Sequence, residues 1–169
     1  HGADKISVRM ECTTNLIGGQ PFSLANLKEI RRLADEHGLT VVVDASLISE
    51  NAYLIKQREA EYRDWSIKAI IQEIMGQADI MYLSGRKSCA VRGGMIATNN
   101  EQHFKAIMPW LPVYEGFLTY GGMSTKEIEA MAVGIREMCD DNVAGASVEF
   151  IRHFVERLVE KGVPVVTPP

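Results

Sequence analysis

The sequence predicts an α/β fold, a mostly parallel sheet flanked by helices. Three observations lead there. Strand-like segments alternate with amphipathic helical segments along the 169 residues. The run Thr40-Val41-Val42-Val43 is apolar or β-branched without interruption, which suits a parallel strand covered on both faces. Polar turns follow the C-terminal ends of the strands, where ligands bind in open α/β sheets.

Each element has its own warrant. Ile6 to Cys12 alternates and carries β-branched residues, so it reads as the first strand. Thr13 to Pro21, with Gly18-Gly19 inside, reads as a loop. Ser23 is placed to cap a helix with apolar positions at Leu24, Leu27, Ile30 and Leu33, and Gly38 is placed to end it. Thr40 to Asp44 is the second strand and closes on an acid. Glu50 to Gln77 reads as helical with one break near Asp64-Trp65-Ser66; Ile67, Ile70, Ile71 and Ile74 form its apolar stripe. Asp79 to Leu83 is the third strand, and Ser84 to Ser88 is the turn after it. Val91 to Thr98 reads as a further strand in which Gly93-Gly94 predict a close backbone approach. Helices are predicted over Glu101 to Met108, Lys126 to Cys139 and Ser147 to Lys161, and a last strand over Val163 to Val166.

Composition excludes several classes. Hydrophobic residues make up 46% and charged residues 24%, an ordinary globular balance that argues against disorder. The formal net charge of -4 disfavours nucleic acid or an anionic membrane as partner, because phosphates repel it. No apolar run approaches the roughly 20 residues needed to span a bilayer, and no basic-then-apolar leader opens the chain. Cys12, Cys89 and Cys139 lie far apart without a Cys-x-x-Cys pair, which argues against a disulfide scaffold and a zinc site and suits a reducing cytosol. The chain opens on His1 and ends soon after a predicted strand, so residues 1–169 are read as one partial domain of a longer protein.

Three loops are expected to converge beyond the strand ends: Thr13 to Gln20, Asp44 to Ser46, and Ser84 to Ser88. Asp44 closes an apolar strand and needs a cationic or N–H partner. It is either the partner of a ligand nitrogen or a turn residue satisfied by backbone N–H groups. Lys87, beside Arg86, is either an activated amine able to form a Schiff base or one of two solvated cations. Asn15 and Gln20 flank Gly18-Gly19, either near a ligand or as plain turn chemistry. The Gly-Lys-Ser/Thr ending of a phosphate-binding P-loop is absent. His1, His37, His103 and His153 lack metal-ligand spacing, and Gly-x-Ser-x-Gly is missing. The run from Tyr114 to Gly122 lines a pocket or an interface, or is a structural turn.

A strand-terminal acid followed, two helices later, by a lysine after a Ser-Gly turn meets two needs of pyridoxal phosphate: an acid for the pyridine nitrogen and a Schiff-base amine. Longer runs are more specific. These are Asn15-Leu16-Ile17-Gly18-Gly19-Gln20-Pro21-Phe22-Ser23, the stretch from Glu50-Asn51-Ala52-Tyr53 to Tyr62-Arg63-Asp64-Trp65, Ser84-Gly85-Arg86-Lys87, and Tyr114-Glu115-Gly116 with Tyr120-Gly121-Gly122. Together they resemble the β-eliminating lyases, the family of tryptophanase and tyrosine phenol-lyase. The resemblance covers nearly the whole chain, and Gln57 to Trp65 leans toward the tryptophan-cleaving branch.

The resemblance implies part of the large, cofactor-binding domain of a fold-type I pyridoxal phosphate enzyme. Lys87 matches the Schiff-base and catalytic lysine, and Asp44 the acid that keeps the pyridine nitrogen protonated. Asn15 matches the amide near the cofactor's 3′ oxygen, and Ser84 a hydroxyl that helps hold the phosphate. Arg86 stands where a second lysine is usual and keeps the charge. The implied reaction is β-elimination from an aromatic amino acid, with L-tryptophan giving indole, pyruvate and ammonia. Activation by a monovalent cation such as potassium, a cytoplasmic homotetramer, and no nucleic-acid or membrane partner go with it. The alternatives are a tyrosine phenol-lyase or another β-eliminating amino-acid lyase, and a degenerate non-catalytic relative. Leu47 stands where the family usually has an arginine, Ser88 where it has an aspartate, and Arg92 where the phenol-lyases carry an asparagine. Leu47 and Ser88 motivate the degenerate reading; Lys87, Asp44, Asn15 and Ser84 together argue against it. The family's glycine-rich phosphate loop, ring-stacking aromatic and substrate-binding arginine lie outside this chain, so the segment alone is expected not to complete an active site.

Overall fold

The computed structural model describes residues 6–114 and 122–165. Strands β1 (Ser7–Glu11), β2 (Thr40–Asp44), β3 (Ile80–Ser84) and β4 (Gly94–Ala97) form one sheet in the order β1-β2-β3-β4. The first three are parallel, with Glu11 opposite Asp44 and Asp44 opposite Tyr82. Helices make each parallel step, as a parallel pair requires. Helix α1 (Leu24–His37) joins β1 to β2, while α2 (Ile48–Arg58) and α3 (Ile67–Gly76) join β2 to β3. No helix separates β3 from β4, so β4 returns antiparallel with Ser84 opposite Gly94. Helices α4 (Glu101–Ile107), α5 (Leu111–Tyr114), α6 (Thr125–Glu137) and α7 (Asp141–Glu160) follow.

Local chemistry sets most of the boundaries. The Ser23 hydroxyl accepts from the Asn26 N–H at 3.1 Å, and Gly38 ends α1 at φ 64°. Ser66 caps α3 by accepting from the Ala69 N–H at 3.2 Å. The close approach expected at Gly93-Gly94 is present: a Cβ on Gly94 would collide with the Leu83 carbonyl oxygen.

Other boundaries depart from expectation. Leu33 is exposed, and Ala34 takes the inward position. At about 100° per residue, Leu33 lies half a turn from Leu24. Helix α7 begins at Asp141, six residues before Ser147, because the Asp140 carboxylate caps it through the Asn142 and Val143 N–H groups. The strand expected over Val163 to Val166 is not formed in its described part, Val163 to Val165. Pro164 has no N–H to donate to a ladder; Val166 lies outside the described residues.

The core sits on one side of the sheet. Val41, Val43 and Leu83 face Leu24 and Leu27 of α1, Ile48 and Ile55 of α2, and Ile67, Ile70 and Ile74 of α3, all buried. The opposite face, with Arg9, Glu11, Val42, Asp44, Tyr82 and Ile96, is half-buried or exposed. Among the described residues, helices therefore cover one face of β2. Right-handed crossovers that advance steadily in one direction place their helices on the same face.

Asp79 ties the start of β3 to its neighbours. Its carboxylate accepts from the Val41 N–H at 2.7 Å and from the Arg31 guanidinium at 2.8 Å. Burial opposes its charge, but these two donors outweigh burial and hold the carboxyl below the usual aspartate range. A lowered folded value means that the stabilisation is complete at neutral pH, above the unfolded value of about 4, and is lost as pH falls through the folded value. Asp79→Ala is expected to cost about 1–3 kcal/mol at pH 7. The cost should shrink in acid, and urea denaturation at neutral and acid pH checks it.

Candidate functional site at the strand C-termini

Because β1, β2 and β3 are parallel, their C-terminal ends share one edge, and backbone bonds stitch the three following loops together. The Cys12 N–H donates to the Asp44 carbonyl at 2.9 Å, the Leu47 N–H to the Cys12 carbonyl at 3.0 Å, and the Ala45 N–H to the Tyr82 carbonyl at 2.8 Å. The predicted convergence of these loops is observed.

The first loop is a closed structure. The Thr14 N–H donates to the Gln20 carbonyl at 2.8 Å, with Gly18 and Gly19 at φ 80° and 75° between them. Asn15 opens a 3-10 turn, Asn15–Ile17, and is exposed. Asn51 of α2, fully buried, fixes the loop's exit: its amide accepts from the Phe22 N–H and donates to the Phe22 carbonyl, both at 3.1 Å.

Asp44 ends β2 half-buried on the open face, and one carboxylate oxygen accepts from the Ser46 N–H at 3.0 Å. That is the turn role the sequence left open, and it uses one of two oxygens. Tyr82 is its register neighbour. Burial first, and then the Asp44 carboxylate, push the Tyr82 phenol up in pKa. The surroundings are acidic: burial raises the Cys12 thiol well above its ordinary value, and the Asp44, Glu50 and Glu11 carboxylates add to the shift.

Ser84 ends β3, and Lys87 lies in the turn that follows. The Gly85 N–H donates to the Gly93 carbonyl and the Val91 N–H to the Gly85 carbonyl, both at 2.8 Å. Helix α6 packs beneath this turn. A Cβ on Gly85 would come within 2.8 Å of the Met131 methyl, and one on Gly134 within 2.5 Å of the Cys89 carbonyl oxygen. Lys87 and Arg86 are exposed. The lysine ion pairs among the described residues are those of Lys28, Lys56 and Lys105; Lys87 is in none of them.

Three contributors make bonds that the sequence reading did not assign, and Ser88 had entered that reading only as a departure from the family's aspartate. Buried Ser46 accepts from the Ser84 N–H through its hydroxyl at 3.0 Å. The single Ser88 hydroxyl proton is shared between a Glu50 oxygen at 2.9 Å and the Ser46 carbonyl at 3.2 Å. Glu50 also accepts from the Ser147 hydroxyl at 3.2 Å. The Ser46 position, two residues beyond a strand-terminal acid, was the available signal; the partners of Glu50 and Ser88 are distant in sequence. Leu47 is half-buried and starts α2, and its side chain offers no donor. From Glu115 to Gly121, the aromatic and glycine-rich run lies outside the described residues. Among the described residues no group of three or more His, Cys, Asp or Glu could hold a metal ion.

The family model described as Beta-eliminating lyase matches residues 1–167. The chain is 41% identical over 169 residues to a tyrosine phenol-lyase of Symbiobacterium sp. (strain SC-1), covering 99% of this chain and 37% of that protein. It is 37% identical over 166 residues to a probable tryptophanase of Aeropyrum pernix, covering 98% of this chain and 36% of that protein. The chain therefore spans little more than a third of the length of these relatives. A putative L-allo-threonine aldolase of Listeria monocytogenes EGD-E shares the fold, with a TM-score of 0.59 at 22% identity over 86% of this chain and 35% of that one.

Proposed function

The chain belongs to the β-eliminating lyase family, and on that premise we propose that the whole protein is a pyridoxal-phosphate-dependent carbon–carbon lyase acting on an aromatic L-amino acid. The observation that supports this reading is the shared edge at which Asp44, Ser84 and Lys87 meet the end of the loop bearing Asn15. The donor set fits the cofactor. Asp44 lies on the open face with the Ser46 N–H and the Tyr82 phenol beside its carboxylate, and the Lys87 amine is exposed and outside every ion pair among the described residues.

In the proposal Asp44 would hold a proton on the ring nitrogen; Lys87 Nζ would hold the cofactor covalently and, once displaced by the substrate's amino group, the freed amine would take the proton from the substrate's α-carbon. Ser84 Oγ donates to the phosphate, the Asn15 amide to the ring oxygen, and Arg86 adds positive charge. When bound, the cofactor supplies the electron sink that makes loss of that proton feasible. Residues outside this chain complete the pocket.

L-Tryptophan is the substrate of the proposal, on the strength of the run Gln57 to Trp65. Potassium activation, a cytoplasmic location and a homotetramer belong to the same proposal and rest on the resemblance. No helix among the described residues is long and apolar enough to cross a membrane. The test is pyruvate release by the full-length protein from L-tryptophan and from L-tyrosine, in potassium and in sodium buffer. Indole and pyruvate from L-tryptophan are expected. Phenol and pyruvate from L-tyrosine alone would replace the substrate and keep the reaction; no elimination from any amino acid, with no visible cofactor band, would overturn the reading.

A further inference from the structure

We propose that Ser46 is a positioning residue that couples the Asp44 carboxylate to both ends of the turn carrying Lys87. Its three polar groups are all used for this. The Ser46 N–H donates to Asp44 at 3.0 Å, its hydroxyl accepts from the Ser84 N–H at 3.0 Å, and its carbonyl, 3.2 Å from the Ser88 hydroxyl, shares that hydroxyl's one proton with Glu50. Ser84 precedes Lys87 by three residues and Ser88 follows it directly, so the lysine's turn is pinned at front and back by one buried serine. The same serine pins the acid.

A second anchor supports the far end of the turn. The Ser88 hydroxyl lies 2.9 Å from one Glu50 oxygen, and the Ser147 hydroxyl of α7 lies 3.2 Å from the other. Glu50 sits in the first turn of α2, where the helix dipole favours a negative charge. The turn is thereby fastened to the first turn of α2 and, through Glu50, to Ser147 in the second turn of α7, as well as to the sheet. A hydroxyl shared between a carboxylate and a backbone carbonyl has little rotational freedom, so Ser88 acts as a latch. An unlatched turn would let the lysine amine wander relative to the acid, and productive geometry is lost over shifts of about 1 Å.

The inference rests on the proposed role of Lys87, and the experiment separates the two. Full-length protein is saturated with pyridoxal phosphate, and three readings are taken: visible absorbance of the lysine-linked cofactor, visible circular dichroism of the same band, and cofactor Kd by equilibrium dialysis. Ser88→Ala removes only an anchoring hydroxyl and carries the test; Ser46→Ala is the second variant and Ser88→Thr the conservative rescue. Ser88→Ala is expected to keep the absorbance at saturation and lose most of the circular dichroism, because the band's ellipticity reports a fixed orientation. It is also expected to weaken cofactor binding about tenfold, as suits one hydrogen bond to a charged group. Ser88→Thr should restore both. A role confined to stability would lower Tm and leave ellipticity at saturation unchanged. Unchanged ellipticity and Kd in both alanine variants, beside a normal wild-type band, would overturn this inference alone. A wild-type protein with no band would overturn the proposed function and this inference with it.

Discussion

Lys87→Ala in the full-length protein is expected to lower turnover by at least about a thousandfold. Positioned acid–base catalysis contributes about 10²–10⁴-fold by itself, and the covalent hold on the cofactor that we propose for Lys87 would be lost as well. The structure separates this effect from misfolding. Lys87 is exposed, and its turn is maintained by the backbone bonds of Gly85, Val91 and Ala90 and by the Ser46 hydroxyl, none of which uses the lysine side chain. Compared without cofactor, the variant should keep the wild-type Tm, and it should still bind pyridoxal phosphate weakly, since Asp44 and Ser84 remain. Lys87→Arg should not rescue it, because a guanidinium stays protonated and cannot serve as base or nucleophile. Turnover and the visible spectrum of both variants check this; wild-type turnover in Lys87→Ala would remove the lysine from the mechanism.

The parts of this fold that were legible in the sequence are those set by local chemistry. Ser23 and Gly38 bound α1 because a hydroxyl and a positive φ act within a few residues. The stripe Ile67, Ile70, Ile71 and Ile74 is buried because helical spacing alone puts those residues on one side. The convergence of the three loops was readable too, since parallel strands bring their C-termini to one edge. What was not legible depends on partners distant along the chain. Ser88 and Glu50 are 38 residues apart, and Ser147 and Glu50 are 97 apart. No local pattern tells a serine that it will meet that carboxylate. Asn51 reads as an ordinary polar residue of a helix, yet it is fully buried and clamps the backbone of Phe22 from 29 residues away.

Asp44→Asn should separate charge from shape at the other end of the site. The asparagine amide keeps an oxygen that can accept the Ser46 N–H at the place the carboxylate now does. The Asp44–Ser46 link and its continuation to the lysine turn therefore survive, and the thermal midpoint should stay close to wild type. What disappears is the negative charge that the proposal sets beside the ring nitrogen. Loss of one preorganised electrostatic partner of a developing charge costs about 10²–10³-fold in kcat, so the variant should fall by that factor with cofactor still bound. The remaining carboxylates, Glu11 across the register and Glu50 in α2, do not substitute, because neither ends the strand at the position of Asp44. Asp44→Ala removes the acceptor as well as the charge. It should lose both turnover and the orientation of the cofactor, seen as reduced visible circular dichroism at saturation. The contrast between the two variants is the informative result. If Asn and Ala are equally inactive but Asn keeps the ellipticity, Asp44 acts on the chemistry through charge and on geometry through Ser46. Full kcat in Asp44→Asn would leave the carboxylate as the turn residue its bond to Ser46 already makes it, and the proton on the ring nitrogen would need another holder.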